Sequence, residues 1–158
     1  MSSHWQRTLD ALEVAQQEMV ALARSDEDVS SLVRQAVADG SWSVYWLLPR
    51  IDGWRQGVTL SAADELLDRA LTERSALGVR QILGALRHAD VERVIVPLVM
   101  ERLGDPDRPD ADWDYRRYAE LLDHLGLTEP LLELVAKAST SRNPEVREIA
   151  DDYATTES

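Results

Sequence analysis

The chain has 158 residues, of which 44% are hydrophobic, and a formal net charge of −12. This length and composition are those of a single folded domain, not of a disordered chain. Cysteine is absent, which excludes disulfides and thiolate metal sites and fits a reducing, cytoplasmic location. The negative charge repels phosphate backbones and favours cationic partners.

Apolar residues at helical spacing predict nine helices, and no alternating stretch indicates a strand. The class is therefore all-α, with paired antiparallel helices. A glycine-flanked loop at 52–57 precedes the fourth helix, which Thr59 or Ser61 begins, and Pro97 predicts a kink in the sixth. The helices are expected at about residues 4–24, 29–39, 42–51, 59–71, 76–88, 90–103, 111–125, from 128 and from 143.

Start and stop signals fix several of these boundaries. Gly40 and Gly126 stand just past the second and seventh helices, where glycine commonly ends a helix. Asp90 and Thr128 are expected to cap the sixth and eighth helices. Asn143, followed by proline, is expected to cap the ninth.

A five-residue pattern recurs on the second helix of each predicted pair. Its copies start 35, 36 and 31 residues apart, a period typical of stacked helical units. The copies are VYWLL at 44–48, VRQIL at 79–83, YRRYA at 115–119 and VREIA at 146–150. The units lie at about 26–52, 59–88, 90–125 and 127–154 within one domain, 1–158, with the first helix left over.

Two of these units share three features in the same order. In unit three an apolar helix contains Pro97, an Asp-Pro turn follows at 105–106, and the second helix opens with Tyr-Arg at 115–116. Unit four has Pro130, then Asn-Pro at 143–144 and Val-Arg at 146–147. This order resembles the HEAT repeat.

The resemblance covers units three and four well and unit two partly. Unit one departs from it, since Tyr45 stands where the arginine belongs, and the turn of unit three is enlarged. The resemblance implies a short right-handed α-α superhelix of about four helix pairs plus an N-terminal helix, an α-solenoid whose second helices line a concave binding face. It also implies that Arg80, Arg116 and Arg147 pair with turn acids and hold successive units in register.

An aspartate-rich stretch in the loop of unit three invites comparison with a calcium loop. Asp110, Asp112 and Asp114 match positions 1, 3 and 5 of an EF-hand. Position 6 requires glycine and holds Tyr115, and position 12 requires glutamate and holds Leu121. The stretch is therefore interpreted as a solvated acidic loop.

Two histidines, His88 and His124, are 36 residues apart, one repeat step. They are expected at equivalent places on adjacent second helices, near enough to approach a shared ion. There is no His-Glu-x-x-His motif and no obvious fourth ligand. No metal, cofactor or catalytic residue is predicted.

Aromatic residues give the best indication of a binding site. The chain has five tryptophans and no phenylalanine, and tryptophan and arginine are enriched at binding hot spots. Trp46 occupies a place that is polar in the other pentads, and Trp54 lies in the glycine-flanked loop. The predicted partner-binding residues are Trp46, Arg50, Trp54, Gln81, His88, Arg117, Glu120, His124, Glu148 and Asp151.

These features favour a non-enzymatic protein-binding module for a basic protein or peptide. A concrete form is an immunity or inhibitor protein against a basic bacterial toxin. A scaffold or regulatory subunit of a bacterial complex is the alternative, and a HEAT-like DNA glycosylase is disfavoured because the charge has the wrong sign. Neither nucleic acid nor membrane is expected as a partner, since no apolar run approaches the roughly 20 residues that span a bilayer. The oligomeric state stays open.

Overall fold

A computed structural model describes residues 4–25, 29–50 and 56–154, and all regular secondary structure in these ranges is helical. The predicted all-α class is confirmed. A 3₁₀ turn, Leu48–Arg50, follows α3, and a π-helical segment, Val91–Ile95, joins α7 to α8. The α-helices are α1 His4–Ser25, α2 Val29–Ala38, α3 Trp42–Leu47, α4 Gln56–Ser61, α5 Ala63–Ala70, α6 Glu73–Gly84, α7 His88–Asp90, α8 Val96–Leu103, α9 Ala111–His124, α10 Thr128–Ser139 and α11 Pro144–Ala154.

The two predicted glycine stops are confirmed. Gly40 and Gly126 adopt φ angles of 70° and 66°, a left-handed conformation that glycine adopts without strain. At each stop the amide after the glycine donates to a carbonyl five residues back, at 2.9 Å from Ser41 and 3.0 Å from Leu127. The glycine amides themselves donate three residues back, which completes a Schellman motif at both ends.

One of the three predicted caps is confirmed. The Asn143 side chain accepts from the amide of Glu145 at 3.0 Å, and α11 begins at Pro144. Thr128 is instead the first residue of α10, with Leu127 at the capping position. Asp90 is also not a cap, because it lies inside a helix, is buried, and accepts hydrogen bonds from flanking arginines.

The predicted start of the fourth helix is wrong. Gln56 and Gly57, assigned to the loop at 52–57, belong to α4, and residues 51–55 lie outside the described ranges. Ser61 ends α4, and its hydroxyl donates back to the carbonyl of Val58 at 2.7 Å, so it does not cap the next helix. Ala62, fully buried, makes the turn into α5.

The fifth predicted helix is also displaced. Helix α6 begins at Glu73, after Thr72 in extended conformation, and ends at Gly84. Arg87 is extended as well, with φ −65° and ψ 135°, so that His88 begins α7. The chain therefore leaves the second helix of unit two several residues earlier than the sequence pattern indicated.

Pro97 lies in the first turn of α8, directly after the π-helical segment. Proline has no amide proton for the bond four residues back, and a π-helical stretch accommodates such an interruption. The sequence predicted a kink at Pro97, and at this residue the structure shows a change from π-helix to α-helix.

Helix contacts follow the order of the chain. The two helices of each predicted pair pack together: α2 with α3, α5 with α6, α8 with α9, and α10 with α11; α4 also contacts α5, and α9 contacts α10. The second members of these pairs also touch in order, α3 with α6, α6 with α9, and α9 with α11. One continuous cluster of buried apolar side chains extends from Val33 in α2 to Ala150 in α11.

Helix α1 differs from the others in burial. Every α1 side chain that the structure describes is exposed, including the apolar Trp5, Leu9, Leu12 and Val14. This helix therefore contributes little to the shared core through its described residues.

Candidate functional site

The candidate site is the outward side of α6, α9 and α11, here called the α6–α9–α11 face. On α6 the buried residues Val79, Ile82 and Leu83 define the inner side, and Leu77 and Gln81 lie on the opposite side. The same helical period sets the other two outward stripes. The face comprises Leu77 and Gln81 on α6, Trp113, Arg117, Glu120 and His124 on α9, and Glu148 and Asp151 on α11.

Glu120 joins α6 to α9 at the centre of this face. Its Oε2 accepts hydrogen bonds from Arg80 of α6 and from Arg117, one turn back on its own helix, at 3.1 Å for the latter. All three side chains are partly buried. The carboxylate between two guanidinium groups therefore fixes the position of both arginines.

Arg117 also stacks on Trp113, with its guanidinium carbon 4.5 Å from the ring centroid. The indole Nε1 of Trp113 donates to the carbonyl of Leu71 at 2.7 Å. The exposed tryptophan is thus held at its edge by the loop before α6 and on its face by a cation–π contact.

A second ion pair joins α9 to α11. Arg116 Nη1 lies 3.1 Å from Asp152 Oδ2, and both side chains are close to half exposed. Tyr153 packs partly buried beside them. Burial raises the pKa of the Tyr153 hydroxyl, and the carboxylates of Glu120 and Asp123 raise it further.

The charge of the face changes along its length. Helix α6 carries one acid, Glu73, and two arginines, whereas α11 carries four acids and the single base Arg147. The α11 end is therefore markedly more negative than the α6 end, and Glu148 and Asp151 lie on its outward side.

The aspartate-rich loop is hydrogen-bonded to the turn between α10 and α11. The Asp107 carboxylate accepts from the Ser141 hydroxyl at 2.9 Å and from both the amide and Nε of Arg142 at 2.6 Å. These donors, the Arg142 guanidinium above all, lower the pKa of Asp107 to about 2. Asp114, a member of the rejected calcium pattern, pairs with Arg108.

The arginines that the HEAT resemblance assigned to turn acids have different partners. Arg80 and Arg116 bind acids on the next second helix, not in a turn, and Arg147 donates to the backbone carbonyl of Ser141 at 2.8 Å. The turn acid Asp107 is taken by Arg142 instead. The assignment of turn acids was wrong because Arg80 and Arg116 extend to the neighbouring helix and Arg147 binds a backbone carbonyl of the turn before its own helix.

All six predicted site residues on α6, α9 and α11 lie on the face. Those are Gln81, Arg117, Glu120, His124, Glu148 and Asp151. The side chains of Trp46 and Arg50, and all of Trp54, lie outside the described residues.

His88 is the exception among the described site residues. It begins α7, so it is not on a second helix and does not occupy a place equivalent to that of His124. Its Nε2 lies 3.4 Å from Glu92, at an open cleft of about 270 Å³ that the start of α10 also lines. The early end of α6 moved it from the predicted position.

Sequence reasoning missed Leu77 and Trp113 as members of the face. Both are exposed, at 61% and 45%. Apolar spacing cannot separate an outward leucine from an inward one when the helix boundaries are displaced, and Trp113 stood just inside a helix start.

Comparison with protein families, with characterised proteins and with solved structures finds no match to this chain. Within the described ranges, no three histidine, aspartate or glutamate side chains are placed to hold a metal ion together. Among the same residues, no helix has both the length and the apolar character that crossing a bilayer requires.

Proposed function

We propose that this chain is a HEAT-like helical-repeat module without enzymatic activity, and that its α6–α9–α11 face binds a basic protein. The partner would be a basic bacterial toxin if the module is an immunity or inhibitor protein. The proposal has two parts, the stacked architecture and the charge of the face, and each has its own support.

The observation that carries the stacked architecture is a set of links between successive units. Side-chain hydrogen bonds repeatedly join residues 31 to 40 positions apart. That separation matches the period of the sequence pattern, and it is what translational stacking of helix pairs produces. The pairs of residues are Arg34 with Glu65, Arg102 with Asp68, Ser141 with Asp107, Arg116 with Asp152, and Arg80 with Glu120.

The order of helix packing supports the same architecture. Each second helix touches the second helix of the next pair, as a stack with α6, α9 and α11 in one layer requires. In such a stack the outward side of one layer is a continuous surface, since each pair covers only its neighbours.

The charge of that surface supports a basic partner. Acidic side chains accumulate towards α11, and the whole chain carries −12. Complementary charge accelerates association and discriminates against acidic partners. The arginines of the face are engaged by Glu120 and Asp152, so its positive groups are partly neutralised within the layer.

Capture of partners from the native host tests the proposal. The bait is the purified chain, compared with a double charge reversal on the face, Glu148→Lys with Asp151→Lys. The matched control reverses two exposed acids of the other layer, Glu101→Lys with Glu133→Lys.

We expect the wild type and the control to retain a basic protein that the face variant loses. Its affinity should fall as salt rises. Exposed charges separated by more than a Debye length are largely screened, and that length is about 8 Å at physiological ionic strength and shortens with added salt. Equal retention by both variants, or an affinity indifferent to salt, would contradict the proposal.

A further inference from the structure

An exposed apolar pair lies on the α6–α9–α11 face away from its acidic end. Leu77 is 61% exposed and Trp113 is 45% exposed. Two contacts set the relative level of α6 and α9: Trp113 binds the carbonyl of Leu71 just before α6, and Glu120 binds Arg80 near the end of α6. The two helices therefore run side by side in the same direction, and Leu77 lies on α6 between those two levels.

The tryptophan of this pair is held in place before any partner arrives. Trp113 is fixed by its hydrogen bond to Leu71 and by the Arg117 guanidinium, and Glu120 in turn fixes Arg117. A side chain that is already ordered loses less conformational freedom on binding. Tryptophan and arginine in such positions are the residues most often found as binding hot spots.

The acidic end of the face lies two helix positions from Leu77 and one from Trp113. Neighbouring packed helices are about 8–10 Å apart, so Glu148 and Asp151 of α11 are roughly 16–20 Å from Leu77 on α6, with the α9 helix of Trp113 between them. Near the pair the charges nearly balance, since Glu120 neutralises Arg80 and Arg117 in part. The face is thus apolar at one end and anionic at the other.

From this arrangement, and resting on the proposed function, we propose that the face binds a basic segment of its partner in a defined direction. One apolar side chain of that segment contacts Leu77 and Trp113. Lysine or arginine residues about 16–20 Å from Leu77 contact Glu148 and Asp151. An extended chain covers that distance in roughly six residues at about 3.3 Å each.

The test uses three fluorescein-labelled synthetic peptides. The complete probe has one leucine, a six-residue Gly-Ser linker and three lysines. The second probe has serine in place of the leucine, and the third has serines in place of the lysines. Fluorescence anisotropy measures the affinity of each probe for the full chain and for four variants.

The variants separate the two ends of the face. Leu77→Ser removes the apolar contact, and its control is Leu132→Ser, a leucine of α10 that is 46% exposed. Glu148→Gln removes one carboxylate, and its control is Glu101→Gln on α8. All four positions are exposed, so circular dichroism should show folded proteins.

We expect the complete probe to bind the wild type roughly tenfold more tightly than either partial probe. For the probe that lacks leucine, burial of one leucine side chain permits a difference of that size. Leu77→Ser should abolish the advantage that the leucine gives. Glu148→Gln should weaken both lysine-containing probes a few-fold, and the two controls should behave as the wild type.

Two results overturn the inference in distinguishable ways. If Leu77→Ser leaves the advantage of the complete probe intact while Glu148→Gln weakens the lysine probes, the directed segment is wrong and the acidic binding face stands. If neither variant differs from its control, the proposed function fails as well.

Discussion

Gly78 provides a sensitive test of how the second helices pack. A β-carbon at this position of α6 would lie 3.0–3.1 Å from the Cδ1, Cβ and Cγ atoms of Tyr45 on α3. Carbon atoms in favourable contact are about 3.5–4.0 Å apart, so Gly78→Ala forces Tyr45 to move by a few tenths of an ångström. Tyr45 is only 6% exposed and has little room to yield.

Two opposing effects decide the free energy of unfolding. Alanine in place of glycine inside a helix stabilises by up to about 1 kcal/mol. Overpacking of a well-packed interior costs about 1–3 kcal/mol. We therefore expect Gly78→Ala to destabilise the protein by roughly 1 kcal/mol net, which for a chain of this size lowers Tm by about 2–4 °C.

Gly84 is the matched control in the same helix. A β-carbon there would meet nothing closer than 3.8 Å, an ordinary contact distance. Gly84→Ala should therefore leave stability unchanged or raise it slightly, because the glycine ends the helix and only part of the propensity gain applies. Both variants are compared by urea unfolding followed by circular dichroism at 222 nm.

A second substitution confirms the cause. Tyr45→Leu removes the ring that the new methyl group would strike, so Gly78→Ala should cost less in that background, with a coupling of about 1 kcal/mol. If Gly78→Ala proves as stable as Gly84→Ala in the wild-type background, α3 does not pack against α6 as described. The order of helices on which the proposed stack depends would then be wrong.

Three further predictions concern the turns, the first-helix layer and α1. Asp107→Asn removes the carboxylate whose pKa is lowered, and it should lower Tm at neutral pH. The folded pKa of about 2 is below the unfolded value near 3.8, so that stabilisation is present above pH 4 and is lost as pH falls through 2. The difference in Tm between the variant and the wild type should therefore close over that window. The control Asp110→Asn should show no such difference. Arg102→Met removes a partly buried guanidinium shared by two carboxylates of α5, and should cost about 1–3 kcal/mol in urea unfolding. Arg34→Met, at a single exposed pair, should cost under about 1 kcal/mol. Deletion of residues 1–28 should change the unfolding free energy by less than about 1 kcal/mol, since the described side chains of α1 are exposed, and a larger loss would show that α1 packs against the rest.

The class of the fold and several helix ends could be predicted because their causes are local. Gly40, Gly126 and Asn143 act through backbone conformation and hydrogen bonds within five residues, which the sequence records directly. The start of α4 and the end of α6 depend instead on which residues are buried by neighbouring helices. Ala62 turns the chain because it is enclosed, and nothing in the order of residues around it indicates that.

The candidate site was predictable to the same extent. The repeat period placed Gln81, Glu120 and Glu148 on corresponding helices, so their common face followed from counting residues. His88 was misplaced because the count crossed a helix boundary that tertiary packing had moved. Leu77 was missed because apolar spacing does not separate an outward leucine from an inward one when the helix boundaries are displaced.

The charge gradient of the face runs in the same direction as its ion pairs. Arg80 of α6 binds Glu120 of α9, and Arg116 of α9 binds Asp152 of α11, so each arginine binds an acid of the next helix. The first helix of this series, α6, carries one acid and two arginines, whereas α11 carries four acids and the single base Arg147. One arginine from α9 therefore offsets only part of the acid excess of α11. The layer that these ion pairs hold together is anionic at its α11 end, and this polarity is what gives the proposed binding face a direction.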